Sequence, residues 1–182
     1  MSQAFSMPVT NPIPALLTNA KIYRDGADLL GVGTVELPNF EFMTESIAGL
    51  GIGGEMDMPV LGHFQSMTLK ITWNTVNEAS VTLLRPQAHH LDIRGSIQGY
   101  DAGAGSFPST AVKVLVRAVP KTSGIGKFEP GKKMDPETEL EVAYLKLWIG
   151  GKEKVEVDKF NLIFRVNDED ILADVRTNLG MA

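Results

Sequence analysis

"SMTLKITW" spans residues 66–73, and its apolar and polar side chains alternate without a break. Met67, Leu69, Ile71 and Trp73 point one way; Ser66, Thr68, Lys70 and Thr72 point the other. Successive side chains of a strand leave on opposite faces, so a period of two predicts a strand with one face in a core and one in water. A single wetted face is the mark of an antiparallel sheet.

The segments around it repeat the pattern. "HHLDIRGSIQGYDAG" (89–103) sets Leu91, Ile93 and Ile97 against Asp92, Arg94, Ser96 and Gln98, and "AVKVLVRAVP" (111–120) alternates too. "AKIYRDGADLLGVG" (20–33) reads as two strands about an Asp25-Gly26 turn, a good hairpin signal. "TVELPNFEFMTESIAG" (34–49) is extended but broken at Pro38, which predicts an edge or a bend. "LEVAYLKLWI" (140–149) and "VEVDKFNLIFRV" (155–166) are joined through Gly150-Gly151. Alternation slips inside both, which predicts a bulge or burial on both faces.

Two segments take the helical period. "NTVNEASVTLLR" (74–85) spaces Val76, Ala79, Leu83 and Leu84 for a helix that Pro86 closes. In "NDEDILADVRTNLG" (167–180), Asn167 or Asp168 can cap, acids fill the first turn, and Gly180 follows the end. The whole reads as mainly β: seven or eight strands in an antiparallel sandwich or barrel, one internal helix and a C-terminal helix. Residues 1–18 hold three prolines and no core pattern, so they read as an arm, and 19–182 as one domain. "PKTSGIGKFEPGKKMDPET" (120–138) reads as a long polar loop.

One stretch suggests a cofactor. In "SIAGLGIGGEMDMP" (46–59), Gly49, Gly51 and Gly54 match the dinucleotide fingerprint. That motif needs a helix opening at its third glycine, with free N–H groups for a pyrophosphate. Pro59 forbids the helix, and Glu55 and Asp57 carry the wrong charge. The stretch is better read as a flexible, partly apolar loop.

Composition narrows the rest. The 182 residues can bury one core, and 43% hydrophobic with 21% charged residues is ordinary for a globular chain. A formal net charge of −5 with no basic cluster disfavours a dedicated nucleic-acid binder. There are no cysteines, hence no disulfide, thiol nucleophile or cysteine zinc site. The N-terminus lacks the basic start and apolar block of a secretory signal, so the expected place of synthesis and residence is a cytoplasm. Of the three histidines, His89 and His90 adjoin and point apart, and His63 stands alone; His90 and Asp92 share a face but make too few ligands for a metal. No Gly-x-Ser-x-Gly elbow occurs. No catalytic residue, metal or cofactor is assigned.

"LGVGTVELPNFEFMTESIAGLGIGGEMDMPVLG" (30–62), "HHLDIRGSIQGYD" (89–101) and above all "GKEKVEVDKFNLIFRVNDEDILADVR" (151–176) resemble the major tail tube proteins of contractile-tailed bacteriophages. The likeness runs from about Asn19 to Gly180. Two departures stand out: a longer N-terminal arm, and Asn167-Asp168 where the family often has Asn-Gly. The resemblance implies a tail-tube-like barrel and a structural virion protein. Its subunits would stack as six-fold rings inside a contractile sheath and conduct the genome. Implied partners are its own copies, the sheath, tape-measure, baseplate and tail-terminator proteins, and DNA sliding through without specific binding. The implied place is the virion tail, assembled in the host cytoplasm. The same fold builds bacteriocin and type VI secretion tubes. An alternative of another class is a monomeric β-barrel binding module or enzyme with a site among its loops.

On this reading the glycine-rich stretch is an arm that orders on a neighbouring subunit. Gly49, Leu50, Gly51, Ile52, Met56, Met58, Leu61 and, from the long loop, Phe128 are expected at subunit interfaces. The polar positions Glu41, Glu45, Lys70, Asp92 and Arg94 are expected to line an acidic or neutral bore, which would not hold DNA by releasing its counterions.

Overall fold

The computed structural model describes residues 13–25, 28–30, 33–49, 51 and 53–181. The chain is mainly antiparallel β. Strands β1 (Ile13–Arg24), β2 (Asp28–Leu30), β3 (Gly33–Glu36), β4 (Phe42–Ala48), β5 (Glu55–Phe64) and β6 (Thr68–Trp73) precede a short helix α1 (Glu78–Thr82). Then come β7 (His89–Tyr100), β8 (Ser109–Ser123), β9 (Glu137–Ile149), β10 (Lys152–Asp158), β11 (Ile163–Val166), β12 (Glu169–Asp170) and helix α2 (Ala173–Asn178). Ten strands form one sheet in the order β12-β11-β10-β9-β8-β7-β1-β2, with β6 joining β9 and β3 joining β6. β4 and β5 stand apart as a two-stranded ribbon.

The decisive stretch behaves as its period requires. Met67, Leu69, Ile71 and Trp73 are fully buried, beside Leu91, Val116, Leu140, Val142 and Val157. Trp73 Nε1 donates to Thr138 Oγ1 at 3.2 Å, so its polar atom is not stranded. The slip of alternation in "LEVAYLKLWI" is a bulge. Arg117 pairs with Tyr144 and Ala118 with Val142, leaving Ala143 over. That extra residue keeps Leu145 and Leu147 on the core side, where strict alternation from Val142 would have put Tyr144 and Lys146. A second bulge skips Lys154. α1 plugs the core with Leu83 and is capped reciprocally: Asn77 Oδ1 accepts from Ser80 N–H at 2.8 Å, and Ser80 Oγ accepts from Asn77 N–H at 3.1 Å.

Five expectations are corrected. The described residues hold twelve strands: "VEVDKFNLIFRV" is a hairpin and not one strand, the 34–49 stretch divides into β3 and β4, and β5 and β12 are added. Asp158 Oδ1 accepts from the N–H groups of Phe160 and Asn161, both at 3.0 Å, and this side-chain turn reverses the chain. Asn167 and Asp168 do not cap a helix. Their φ values of 50° and 71° make a two-residue hairpin turn, Glu169 and Asp170 form β12, and α2 starts at Ala173. The glycine-rich loop is confined to the turn between β4 and β5; "EMDMPVLGHF" is strand. Pro59 is tolerated because half the backbone donors of a two-stranded ribbon face away from the ladder. The long loop is shorter than expected, since β8 continues to Ser123 and β9 starts at Glu137. The arm boundary at 18 falls inside β1, which pairs with β7 from Ile13 onward.

Candidate assembly surfaces

The β4–β5 ribbon is amphipathic. Register places Glu45 opposite Met58 and Ile47 opposite Met56 on one face; Thr44, Ser46, Glu55 and Asp57 take the other, where Ser46 donates to Glu55. Met56, Met58 and Leu61 are exposed, Leu61 at 62%. Gly49 and Gly51 sit at the tip, Gly51 with φ 94°; Leu50 and Ile52 lie outside the described residues. The ribbon's base, by contrast, is fixed. Phe42, Phe64 and Phe164 stack at centroid distances of 4.9–6.0 Å. Gly62, at φ 72°, lets Leu172 approach where any Cβ would collide. Lys159 Nζ donates to Gln65 O at 3.2 Å and to Glu141 at 3.1 Å. A rigid base with an apolar face that the subunit does not cover is a docking geometry.

A second surface was not legible in the sequence. Ile13, Leu16 and Leu17 on β1 are exposed, as are Tyr100 and Phe107, whose rings pack at 5.3 Å. Among the described residues β2 pairs only with Ile22–Arg24, so the earlier part of β1 presents a backbone edge that no described strand covers. Two bulges, skipping Ala15 and Thr18, erase the period of two there, and the segment reads as an arm. The loop 124–136 is tied back to β6 and β9 by Met134 N–H to Asn74 O (3.0 Å), Trp73 N–H to Pro136 O (2.9 Å) and Gly124 N–H to Glu137 O (2.8 Å). From it Phe128 protrudes, 89% exposed.

The third surface is the outward face of the sheet. Across β1, β7, β8, β9, β10 and β11 the register aligns Tyr23 with Asp92, Arg94 with Lys113, Lys113 with Trp148, Lys146 with Glu156, and Glu156 with Arg165. Ion pairs lace it. Asp92 holds Arg94 at 2.7 Å and Lys113 at 3.6 Å; Glu156 holds Lys146 at 3.4 Å and Arg165 at 3.2 Å. Arg94 lies over the Tyr23 ring, Arg117 over Tyr144, and both Lys113 and Lys146 over Trp148. Burial, then the hydrogen bond to Glu156, pushes the Tyr144 hydroxyl up to about 12, so it stays a donor. The hydrogen bond that Lys146 donates to Glu153 raises its pKa above the ordinary lysine value.

The structure thus brings Asp92 and Arg94 together and places Lys70 farther along the same outward side, opposite Glu139 and in an ion pair with Glu137 at 3.0 Å. Glu41 and Glu45 do not join them. Glu41 closes the ribbon's base through Gln65, and Glu45 belongs to the ribbon itself. Among the described residues no group of three His, Asp or Glu could hold a metal ion, and no helix is long and apolar enough to cross a membrane.

The chain is similar to known proteins. The family described as phage tail tube protein FII matches residues 14–180. The tail tube protein of Escherichia phage P2 is 27% identical over 176 residues, covering 93% of this chain and 99% of its own. Among solved structures, the sheath/tube terminator of an extracellular contractile injection system, PVC, in its extended state, matches with a TM-score of 0.50 at 17% identity. That match covers 78% of this chain and 99% of the other, and it supports the fold.

Proposed function

The chain belongs to the phage tail tube protein FII family, whose relatives are structural proteins and not enzymes, and from that premise we propose that it is the repeating subunit of a contractile-tail tube. Subunits close head to tail into hexameric rings, the rings stack, and the stack conducts the genome. The observation that carries this reading is the β4–β5 ribbon: rigidly based, apolar on one face and uncovered in the lone subunit.

Two kinds of contact follow. The ribbon docks on a neighbouring copy through Ile47, Met56, Met58 and Leu61, with Gly49 and Gly51 shaping its tip and Leu50 and Ile52 adding to the contact; Glu45 goes with this contact and not with the bore. The open edge of β1 pairs with an edge of the next subunit, because ring closure removes edges that would otherwise aggregate. Phe128 extends a contact from the 124–136 loop. The outward sheet face, with Asp92, Arg94 and Lys70, lines the bore, where a tape-measure protein and then DNA lie. Sheath, baseplate and tail-terminator proteins are the partners at the outside and the ends, and assembly takes place in the host cytoplasm.

The test is assembly. Size-exclusion chromatography and negative-stain microscopy of the wild type should show rings or tubes that grow with concentration. Met56→Glu with Met58→Glu should leave circular dichroism unchanged and abolish stacking. A variant that stacks like the wild type removes the ribbon from the interface. A wild type that stays a compact monomer even with tail initiation proteins favours the monomeric-module alternative.

A further inference from the structure

The ion pairs of the outward face share a pattern. Asp92 holds Arg94 and Lys113, Glu156 holds Lys146 and Arg165, and on the neighbouring part of the sheet Glu141 holds Lys159 at 3.1 Å and Lys121 at 4.0 Å. Each carboxylate bridges two cations. Asp92 and Glu156 are more than nine-tenths buried among them, while Arg94 is half exposed. Arg94 also lies over the Tyr23 ring, and Lys113 and Lys146 over Trp148, so each of these three cations has a ring contact as well as a carboxylate.

We propose that this face is a masked polyanion surface: a row of cations, three of them over aromatic rings, with the right chemistry for a phosphate chain, held back by carboxylates that each bind two cations. Affinity for DNA comes from cations that replace its condensed counterions. A cation already neutralised in the same subunit displaces none. The partner this surface fits is the phosphate backbone of DNA, met without retention. In the tube this makes the bore neutral at contact range, though it is rich in basic residues; that purpose rests on the bore reading above. The masking itself is a property of the isolated subunit and is tested there.

The experiment measures binding of the isolated subunit to duplex DNA by anisotropy across a salt series. Wild type should not bind at about 50 mM salt. Asp92→Asn with Glu156→Gln removes two negative charges and frees Arg94 and Lys113, while Lys146 keeps Glu153 and Arg165 keeps Asp170. It should bind, with a log–log salt slope approaching about −2, at about 0.9 per phosphate neutralised. Asp57→Asn with Glu78→Gln removes the same charge from exposed acids elsewhere and should not bind. Because Asp92 and Glu156 are buried, the half-exposed pair Glu141→Gln and Glu153→Gln serves as a second probe, freeing Lys121 and Lys159 and loosening Lys146. The proposal is overturned if the folded unmasked variants bind no better than the control pair, or if wild type already binds as well. Neither result depends on ring formation. If masking holds but the variants eject DNA at the wild-type rate in assembled particles, the bore reading alone fails.

Discussion

At the residue scale, Asn167 and Asp168 show how a short sequence can mislead. Three acids after an asparagine look like a helix start, yet both central residues take positive φ and close a hairpin. The left-handed region costs an L-residue about 1–2 kcal/mol, less for Asn and Asp. Asp168→Gly should therefore raise stability by about 0.5–1 kcal/mol, and Asp168→Val should lower it by about 1–2 kcal/mol. Urea midpoints at constant m-value measure both. Gly62 is the opposite case, where nothing but glycine fits. At φ 72° its position would drive a Cβ into Leu172. Gly62→Ala should cost about 2–4 kcal/mol from overpacking and backbone strain together, and should loosen the ribbon's base and α2 at once, visible as shared loss of hydrogen-exchange protection.

At the element scale, β12 and α2 are held by charge. Asp170 accepts from Arg176 and Arg165 and from Leu172 N–H at 3.2 Å. The Arg176 hydrogen bond chiefly, with those of Leu172 and Arg165, holds its carboxyl below the usual carboxylate range despite burial. A carboxylate with a lowered folded pKa stabilises fully above its unfolded pKa, near 4, and loses that contribution as pH falls through the folded value. Acidification below about pH 4 should thus loosen the C-terminal elements, and Asp170→Asn should flatten this part of the pH–stability curve. Glu141 has the same sign: burial pushes it up, but hydrogen bonds from Ser66, Lys159 and Met67 N–H outweigh that. Elements with an unbroken period, β6, β7 and β8 as far as Pro120, were legible in the sequence. So were the Asp25 and Gly150-Gly151 hairpins, and the bulge at Ala143 as a slip of alternation. What was not legible has a common cause. A side-chain turn at Asp158, a positive-φ turn at Asn167 and Asp168, and bulges at Ala15 and Thr18 interrupt a period that sequence reading needs whole. The ribbon was hidden differently: its glycine tip and Pro59 read as disorder, while Met56 and Met58 alternated in plain view. Among the site residues, Asp92 and Arg94 were paired correctly by alternation; that Asp92 is buried beneath two cations needed the neighbouring strand β8.

At the scale of the whole molecule, β1 is both an edge and a fastening. Deleting residues 1–12 should leave every described pair in place. Deleting residues 1–18 removes the partners of Ile97 to Tyr100 but keeps Ile22 in the core. The longer deletion should retain its far-UV spectrum, melt at a lower temperature, and fail to close rings; loss of the β spectrum would mean that the edge nucleates the sheet. The route by which that sheet closes has its own consequence. β8–β9, β9–β10 and β10–β11 are hairpins between sequence neighbours, whereas β1 finds β7 across about 75 residues and β6 finds β9 across about 70. Non-local pairings are entered slowly, because their loop entropy is lost before their contacts form. The newly made chain should pass through a state with the C-terminal hairpins formed and β1 still unpaired, and at high expression that exposed edge is open to capture by other nascent copies. Growth of the particle is then a kinetic contest, in which the rate of intramolecular closure of β1 onto β7 sets how much protein is ever available to be added.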